Sequence, residues 1–122
     1  MNITIDQRGN SKVAIIESGE VVIRDVQDAL DLMANVKYAA DCSKILLKQA
    51  HLPDDFFELR TKLAGDILQK YTNYGIRLAI VGEFDRYGSK SLNDFIYECN
   101  KGNRFFFLKD EAAALEALHT LA

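Results

Sequence analysis

The stretch from Lys44 to Gly102 alternates apolar strand patterns with amphipathic helix patterns, and this alternation constrains the fold more than any other feature. The segment KILLKQAHL is followed by PDDFFELRTKLAGDILQKYTNYG, then by IRLAIVGEF, and then by SLNDFIYECNKG. Short continuous apolar runs such as residues 45–47 are typical of strands that are covered on both faces. Strands that alternate with helices pair in parallel through crossover connections. The sequence therefore predicts an α/β domain.

The N-terminal residues add a different element to this pattern. Residues 3–7 and 12–17 are extended apolar patterns, and the turn sequence RGNS separates them, which indicates an antiparallel hairpin. A chain of 122 residues fits one domain. We therefore predict a single domain over residues 1–122, with a mixed, mainly parallel sheet of about five strands and about four helices.

Capping residues predict where these helices begin. Asp25 and Asp110 precede helical patterns and can accept the free N–H groups of a first turn. Asp55 and Glu58 fit a capping box at the start of one long helix that ends at Gly75. Two adjacent phenylalanines in that helix cannot both face one sheet. We expect one of them to pack against a neighbouring helix, and self-association into a homo-oligomer is the other interpretation.

Composition excludes several classes of partner. The net charge is −3 and the basic residues form no run, so we predict neither a nucleic-acid nor a membrane partner. No apolar stretch approaches the roughly 20 residues that cross a bilayer. The N-terminal sequence MNITIDQRGN does not resemble a signal peptide. Cys42 and Cys99 lack CxxC spacing, so we expect reduced thiols and a cytoplasmic protein.

The stretches DVQDALDLMA, PDDFFELRTKLAGDILQKYTNYG, LAIVGEF and SKSLNDFIYECNKG resemble the bacterial family known as domain of unknown function 4180. This resemblance covers nearly the whole chain and implies a fold and a bacterial source, but no reaction. The element order also resembles the STAS (SpoIIAA-like) fold of anti-anti-sigma factors, which implies a regulatory module. Those factors carry a regulatory serine after the central strand, whereas the matching turn from His51 to Asp55 has no hydroxyl group. A phosphorylation switch is therefore not implied there.

Two aspartates, Asp54 and Asp55, follow the strand that ends near Lys48, and His51 lies close to them in sequence. The first interpretation is helix capping, which typically contributes about 1 kcal/mol. The second is a negative patch in place of a phosphorylated switch, or half of a metal site. A metal site needs further ligands, and the sequence offers none nearby, so we predict no metal.

The segment GEFDRYGSKS follows a strand, opens a helix and resembles a phosphate-binding loop at first sight. That loop requires the pattern GxxxxGK[ST]. Here five residues separate the glycines, and Ser89 precedes Lys90. Glu83 and Asp85 would also repel a phosphate. The sequence therefore favours a solvated loop with a serine N-cap over a nucleotide site.

These two turns nevertheless follow neighbouring strands at their carboxyl ends, where open α/β sheets place ligands. A small-molecule or anion site between the turn from Lys48 to Asp55 and the turn from Glu83 to Ser91 is therefore the alternative function. Within it, Arg86 would hold an anion together with Lys90. The candidate ligand-binding residues are His51, Asp54, Asp55, Asp85, Arg86, Ser89 and Lys90.

The sequence carries no nucleophile motif of the Ser-His-Asp or Cys-His kind. His51 is predicted to be a structural histidine, because no nucleophile is tied to it by any motif. His119 is predicted to be exposed near the C-terminus. We therefore predict a non-enzymatic regulatory or protein-interaction module, with no catalytic residue and no cofactor, and keep the ligand-binding protein or small enzyme as the alternative.

Overall fold

The computed structural model describes residues 1–121, which form a five-stranded sheet in the order β1-β2-β3-β4-β5. The strands are β1 (Asn2–Arg8), β2 (Ser11–Glu17), β3 (Lys44–Lys48), β4 (Arg77–Val81) and β5 (Phe105–Leu108). β1 pairs with β2 in antiparallel fashion, and every later neighbour pairs in parallel. The predicted mixed, mainly parallel sheet with an N-terminal hairpin is confirmed.

Within residues 1–121, five α-helices connect or follow these strands: α1 (Val26–Ala40), α2 (Asp54–Phe57), α3 (Leu63–Asn73), α4 (Lys90–Lys101) and α5 (Glu111–His119). Three of them begin at predicted capping residues. The Asp25 carboxylate accepts from the Asp28 N–H, and the Asp110 carboxylate accepts from the Ala113 N–H. Ser89 Oγ accepts from the Leu92 N–H at the start of α4.

The helices form two unequal layers, one on each face of the sheet. β2 shows the division, because Ala14 and Ile16 pack with α1, α2, α3 and α4, whereas Val13 and Ile15 pack with α5. Among the helices formed by residues 1–121, α5 alone covers the second face. Its apolar cluster consists of Val13, Ile15, Leu46, Ala79, Phe106, Ala114 and Leu118.

The long helix predicted from Asp55 to Gly75 is wrong, because the chain breaks it into α2, a 3-10 turn (Leu59–Thr61) and α3. Lys62 has φ 67°, a left-handed conformation that no α-helix continues through. Thr61 Oγ1 donates to the carbonyl of Asp55 at 2.6 Å and of Glu58 at 2.8 Å, which competes with helical bonding.

The predicted capping box is absent for the same reason. α2 begins after Pro53 without a side-chain cap, and the Glu58 carboxylate pairs with Arg60 at 3.1 Å. The break lets both adjacent phenylalanines turn inward, so that Phe56 is 1% and Phe57 4% exposed. Phe57 stacks on Tyr87 with 4.9 Å between ring centroids, so its partner lies in the same chain.

No helix within residues 1–121 is both long enough and apolar enough to span a bilayer.

Candidate functional site

The two turns that the sequence singles out do lie at one edge of the sheet. β3 and β4 are paired along their whole length, so Lys48 and Val81 end side by side. Asp54 and Arg86 both line a shallow cavity of about 450 Å³ at this edge, together with Tyr87. The Arg86 guanidinium lies 5.2 Å from the centroid of the Tyr87 ring. Asp54 and Arg86 also line a neighbouring cavity of about 410 Å³ together with Ser89, so three of the predicted residues lie near one another here.

Gln49, which the sequence reading did not single out, fills the space between the two turns. Its Oε1 accepts from the Glu83 N–H at 2.9 Å, and its Nε2 donates to the Tyr87 hydroxyl at 2.6 Å. Gly82 is where the side chain passes, since a Cβ there would lie 2.6 Å from Gln49 Cβ. In the sequence, the glycine at position 82 was the one available sign that another group passes close to the backbone there. Gln49 thus occupies part of the crevice in which we expected a ligand.

His51 lies inside the fold and not at the rim of that cavity. It is 2% exposed, its Nδ1 accepts from the Lys48 N–H at 3.0 Å, and its Nε2 donates to the Ser18 carbonyl at 3.1 Å. Its backbone carbonyl accepts from the N–H groups of Val22 and Ile23. Burial lowers the pKa of His51 below its usual value, and the nearby Lys48 charge adds to this. This histidine holds the segment before α1 against β3.

The other predicted residues have partners or structural roles of their own. Lys90 Nζ pairs with the Asp94 carboxylate at 2.8 Å, and both side chains are largely exposed. Ser89 caps α4, so the predicted serine N-cap is present. Asp55 and Asp85 are exposed. Among residues 1–121, no three or more His, Cys, Asp or Glu side chains are grouped as metal ligands.

The opposite edge of the sheet, where the parallel strands begin, holds a larger cavity of about 740 Å³. Lys44 and Arg77 are direct partners at the starts of β3 and β4, and Arg104 precedes β5. Lys12, near the start of β2, also lines the cavity, and Asp41 is the one carboxylate among the described lining residues. The lining comprises Asn10, Ser11, Lys12, Asp41, Cys42, Ser43, Lys44, Gly75, Arg77, Arg104 and Leu121.

Lys44 is the most buried of these cations, at 9% exposure. Its Nζ donates to Ser11 Oγ at 2.9 Å and to the Leu121 carbonyl at 3.1 Å. Burial lowers the pKa of Lys44, and repulsion by the Arg77 charge lowers it further, while Cys42 acts in the opposite direction. The ammonium group is thus held by neutral acceptors in a place where positive charge is costly.

A chain of hydrogen bonds leads from Lys44 to a histidine and a carboxylate. His119 Nδ1 lies 2.8 Å from Ser11 Oγ, and His119 Nε2 lies 2.7 Å from Asp6 Oδ2. The predicted exposure of His119 is wrong, since its side chain is only 3% exposed. The reason is that α5 lies across the second face of the sheet, where Asp6 and Ser11 also point.

Sequence reasoning missed this chain of bonds because its members are far apart. His119 is 113 residues from Asp6 and 108 from Ser11, so no local motif can reveal them. The hairpin offered one usable indication. Asp6 is paired with Val13, and Val13 and Ser11 lie on the same face of β2, so Asp6 and Ser11 are expected on one face of the sheet.

The fold and the cavity together define the class of protein. It is an α/β domain with a mixed sheet and a cavity lined by basic residues at the amino ends of the parallel strands. The chain belongs to the family described as Domain of unknown function (DUF4180), whose family model matches residues 8–118. No curated protein and no solved structure matches the chain. The STAS-like element order therefore stays a prediction.

Proposed function

We propose that the protein binds a small oxyanion, a phosphate or carboxylate group, in the cavity at the amino ends of the strands. The observation that carries this proposal is the lining itself, in which four basic residues accompany one carboxylate among the residues described. The chain as a whole has net charge −3, so positive charge is concentrated here against the average. Such a local field attracts anions.

The arrangement of the cations supports binding and not mere proximity. Lys44 and Arg77 are direct partners on neighbouring strands, and beyond the effect of burial the Arg77 charge lowers the pKa of Lys44, so positive charge is crowded at this edge of the sheet. Lys12, Lys44 and Arg104 form no ion pair with any carboxylate of residues 1–121. Lys12 Nζ donates instead to the Ala40 carbonyl at 3.2 Å. An oxyanion would supply a negative partner to Lys12, Lys44 and Arg104.

The plain alternative is that these cations only stabilise the C-terminal end of α5. Carbonyl groups there carry partial negative charge, and Lys44 already contacts the carbonyl of Leu121. On that view added anions have no saturable site in the cavity. The two interpretations therefore differ in a measurement made on the intact chain.

Isothermal titration calorimetry with inorganic phosphate and pyrophosphate tests the proposal. We expect saturable binding that weakens as NaCl is raised. Lys12→Gln and Arg104→Gln should each weaken binding roughly tenfold, the equivalent of one charge-assisted hydrogen bond. Lys109→Gln is the matched control, because Lys109 is exposed, lies outside the cavity and carries the same charge. Absence of saturable binding, or equal loss in the control, would show that the proposal is wrong.

A protein-interaction module is the second candidate, and exposed aromatic rings favour it. Tyr38 is 96% exposed, Tyr74 59% and Tyr97 63%. They lie in α1, directly after α3 and in α4, which all cover the same face of the sheet. Aromatic rings at that exposure are typical anchors of protein interfaces. A second copy of the chain is the first partner to test. Sedimentation velocity should show association that Tyr38→Ser reduces, whereas a monomer at every concentration would contradict self-association.

The cytoplasm of a bacterium is the location that we propose with this function. The two free thiols, Cys42 and Cys99, support it, because cysteines stay reduced in that compartment.

A further inference from the structure

We propose that Ser11 is a nucleophile that hydrolyses esters whose acyl part carries an anionic group, with His119 as its general base. The choice of an anionic substrate rests on the proposed oxyanion site, whereas the nucleophile rests on the geometry around Ser11. Nucleophile and base lie 2.8 Å apart, and base and orienting carboxylate 2.7 Å apart. These separations lie within the hydrogen-bond range that serine nucleophiles require.

One tautomer of His119 satisfies every contact at once. An ionised Asp6 carboxylate accepts hydrogen bonds and has none to donate. His119 Nε2 therefore carries the proton and donates to Asp6. His119 Nδ1 is then unprotonated and accepts the hydroxyl proton of Ser11. Ser11 Oγ has a lone pair left for the bond donated by Lys44 Nζ. The roles match a Ser-His-Asp triad with the two ring nitrogens exchanged.

Ser11 lines the large cavity, whereas its partners Asp6 and His119 are not among the lining residues. It is half-buried and lines the 740 Å³ space together with the cations, whereas the His119 side chain is 3% exposed. A substrate can therefore approach the hydroxyl while the base behind it stays shielded from water. Lys44 Nζ, 2.9 Å from Ser11 Oγ, lies where it can stabilise negative charge that develops beside that oxygen.

The reaction balances with water as the second substrate. Ser11 Oγ forms a bond to the carbonyl carbon as its proton moves to His119 Nδ1, and the carbonyl π pair becomes an oxyanion. When that oxyanion collapses, the bond to the leaving oxygen breaks, and that oxygen takes the proton from His119. Water then attacks the acyl-serine and gives a proton to His119 Nδ1, and the second collapse returns this proton to Ser11 Oγ as the acid leaves. Asp6 is a positioning residue that orients the ring throughout.

Labelling of the unmodified protein with a fluorophosphonate tests the nucleophile and needs no variant, so folding of a variant does not enter the result. The reagent forms a P–O bond with an activated serine and releases fluoride. We expect one label per chain, mapped by peptide mass spectrometry to Ser11. Ser43 is the internal comparison, because it lines the same cavity but is hydrogen-bonded to neither histidine of the described chain. A chain that stays unlabelled while a reference serine hydrolase reacts would overturn the inference, as would a label on Ser43.

Variants then separate chemistry from structure. Ser11→Ala should abolish labelling, and the control Ser91→Ala, on the exposed surface of α4, should leave it unchanged. Asp6→Asn should slow labelling by roughly 100-fold and change its pH profile, and Asp6→Glu should recover part of the rate. A purely structural Asp6 would alter unfolding without changing the pH profile, and that result would contradict its positioning role.

The outcomes also separate this inference from the oxyanion site on which its substrate class depends. Phosphate binding by calorimetry with no label on Ser11 leaves the anion site standing and overturns the nucleophile. A labelled Ser11 in a protein that binds no phosphate supports the nucleophile and overturns the anionic substrate. If both hold, inorganic phosphate should slow the labelling, because it would occupy the same cavity.

Discussion

Replacing Gly82 by alanine tests whether Gln49 really closes the crevice at the carboxyl ends of the strands. A methyl group at this position would lie 2.6 Å from Gln49 Cβ and would also overlap with Oε1 of the same side chain. Carbon atoms in ordinary contact lie about 3.5–4.0 Å apart, so the new atom is about 1 Å too close. Cβ is fixed by the backbone, and a change of rotamer at Gln49 cannot relieve that overlap.

The expected cost follows from this overlap and from the bonds of Gln49. Overpacking typically costs about 1–3 kcal/mol, and each lost hydrogen bond, to Glu83 N or to the Tyr87 hydroxyl, adds about 1 kcal/mol. We therefore expect Gly82→Ala to lower the free energy of unfolding by about 3 kcal/mol. Urea denaturation followed by circular dichroism measures this change.

Two further variants make that measurement decisive. In a Gln49→Gly background, which lacks both overlapping atoms, Gly82→Ala should cost less than about 1 kcal/mol. Gly65→Ala is the matched control: nothing lies within 4 Å of the place that its methyl group would take, and it lies in α3, so alanine should add about 0.5–1 kcal/mol. A Gly82→Ala protein within about 0.5 kcal/mol of the original would refute the reasoning.

Two other predictions concern His51, which the sequence analysis named as a candidate binding residue, and Lys62, which it did not mention. Burial lowers the pKa of His51, so the unfolded chain binds its proton first, and the free energy of unfolding should fall as pH drops below about 6.5. Urea denaturation at several pH values should show a weaker fall in His51→Gln; equal falls would contradict this. Lys62 has φ 67°, so Lys62→Gly should add roughly 0.5–1 kcal/mol, whereas Lys70→Gly inside α3 should remove a similar amount.

Most of the fold could be predicted from the sequence because most helices and strands are marked by residues within or next to the element. The parallel strands β3, β4 and β5 are continuous apolar runs, and the caps Asp25, Ser89 and Asp110 fix three helix starts. Those features need no knowledge of distant residues. The break before α3 was not predicted, because the helical spacing of apolar residues continues through it. The left-handed backbone conformation of Lys62 does not change that spacing.

The two candidate sites show where local reading ends. At the carboxyl ends of the strands, chain order brings Asp54 and Arg86 to one cavity, but Gln49 reaches between the turns from a position that no motif marks. At the amino ends, the row from Lys44 to Arg77 depends on strand register. Register is set by pairing across the sheet, so a single strand read alone cannot reveal it.

The packing of α5 explains how a chain without a contiguous motif can place His119 beside Ser11. The preceding residue, Leu118, is fully buried in the second apolar cluster, which fixes the rotation of the helix. The ion pair between Arg8 and Glu116 adds little, because both side chains are at least half exposed. Apolar burial therefore places the backbone of His119, and the hydrogen bond to Asp6 orients the ring, which lies 2.8 Å from Ser11 Oγ. A base held by core packing needs little reorganisation when a proton moves, which is the condition under which such a pair becomes reactive.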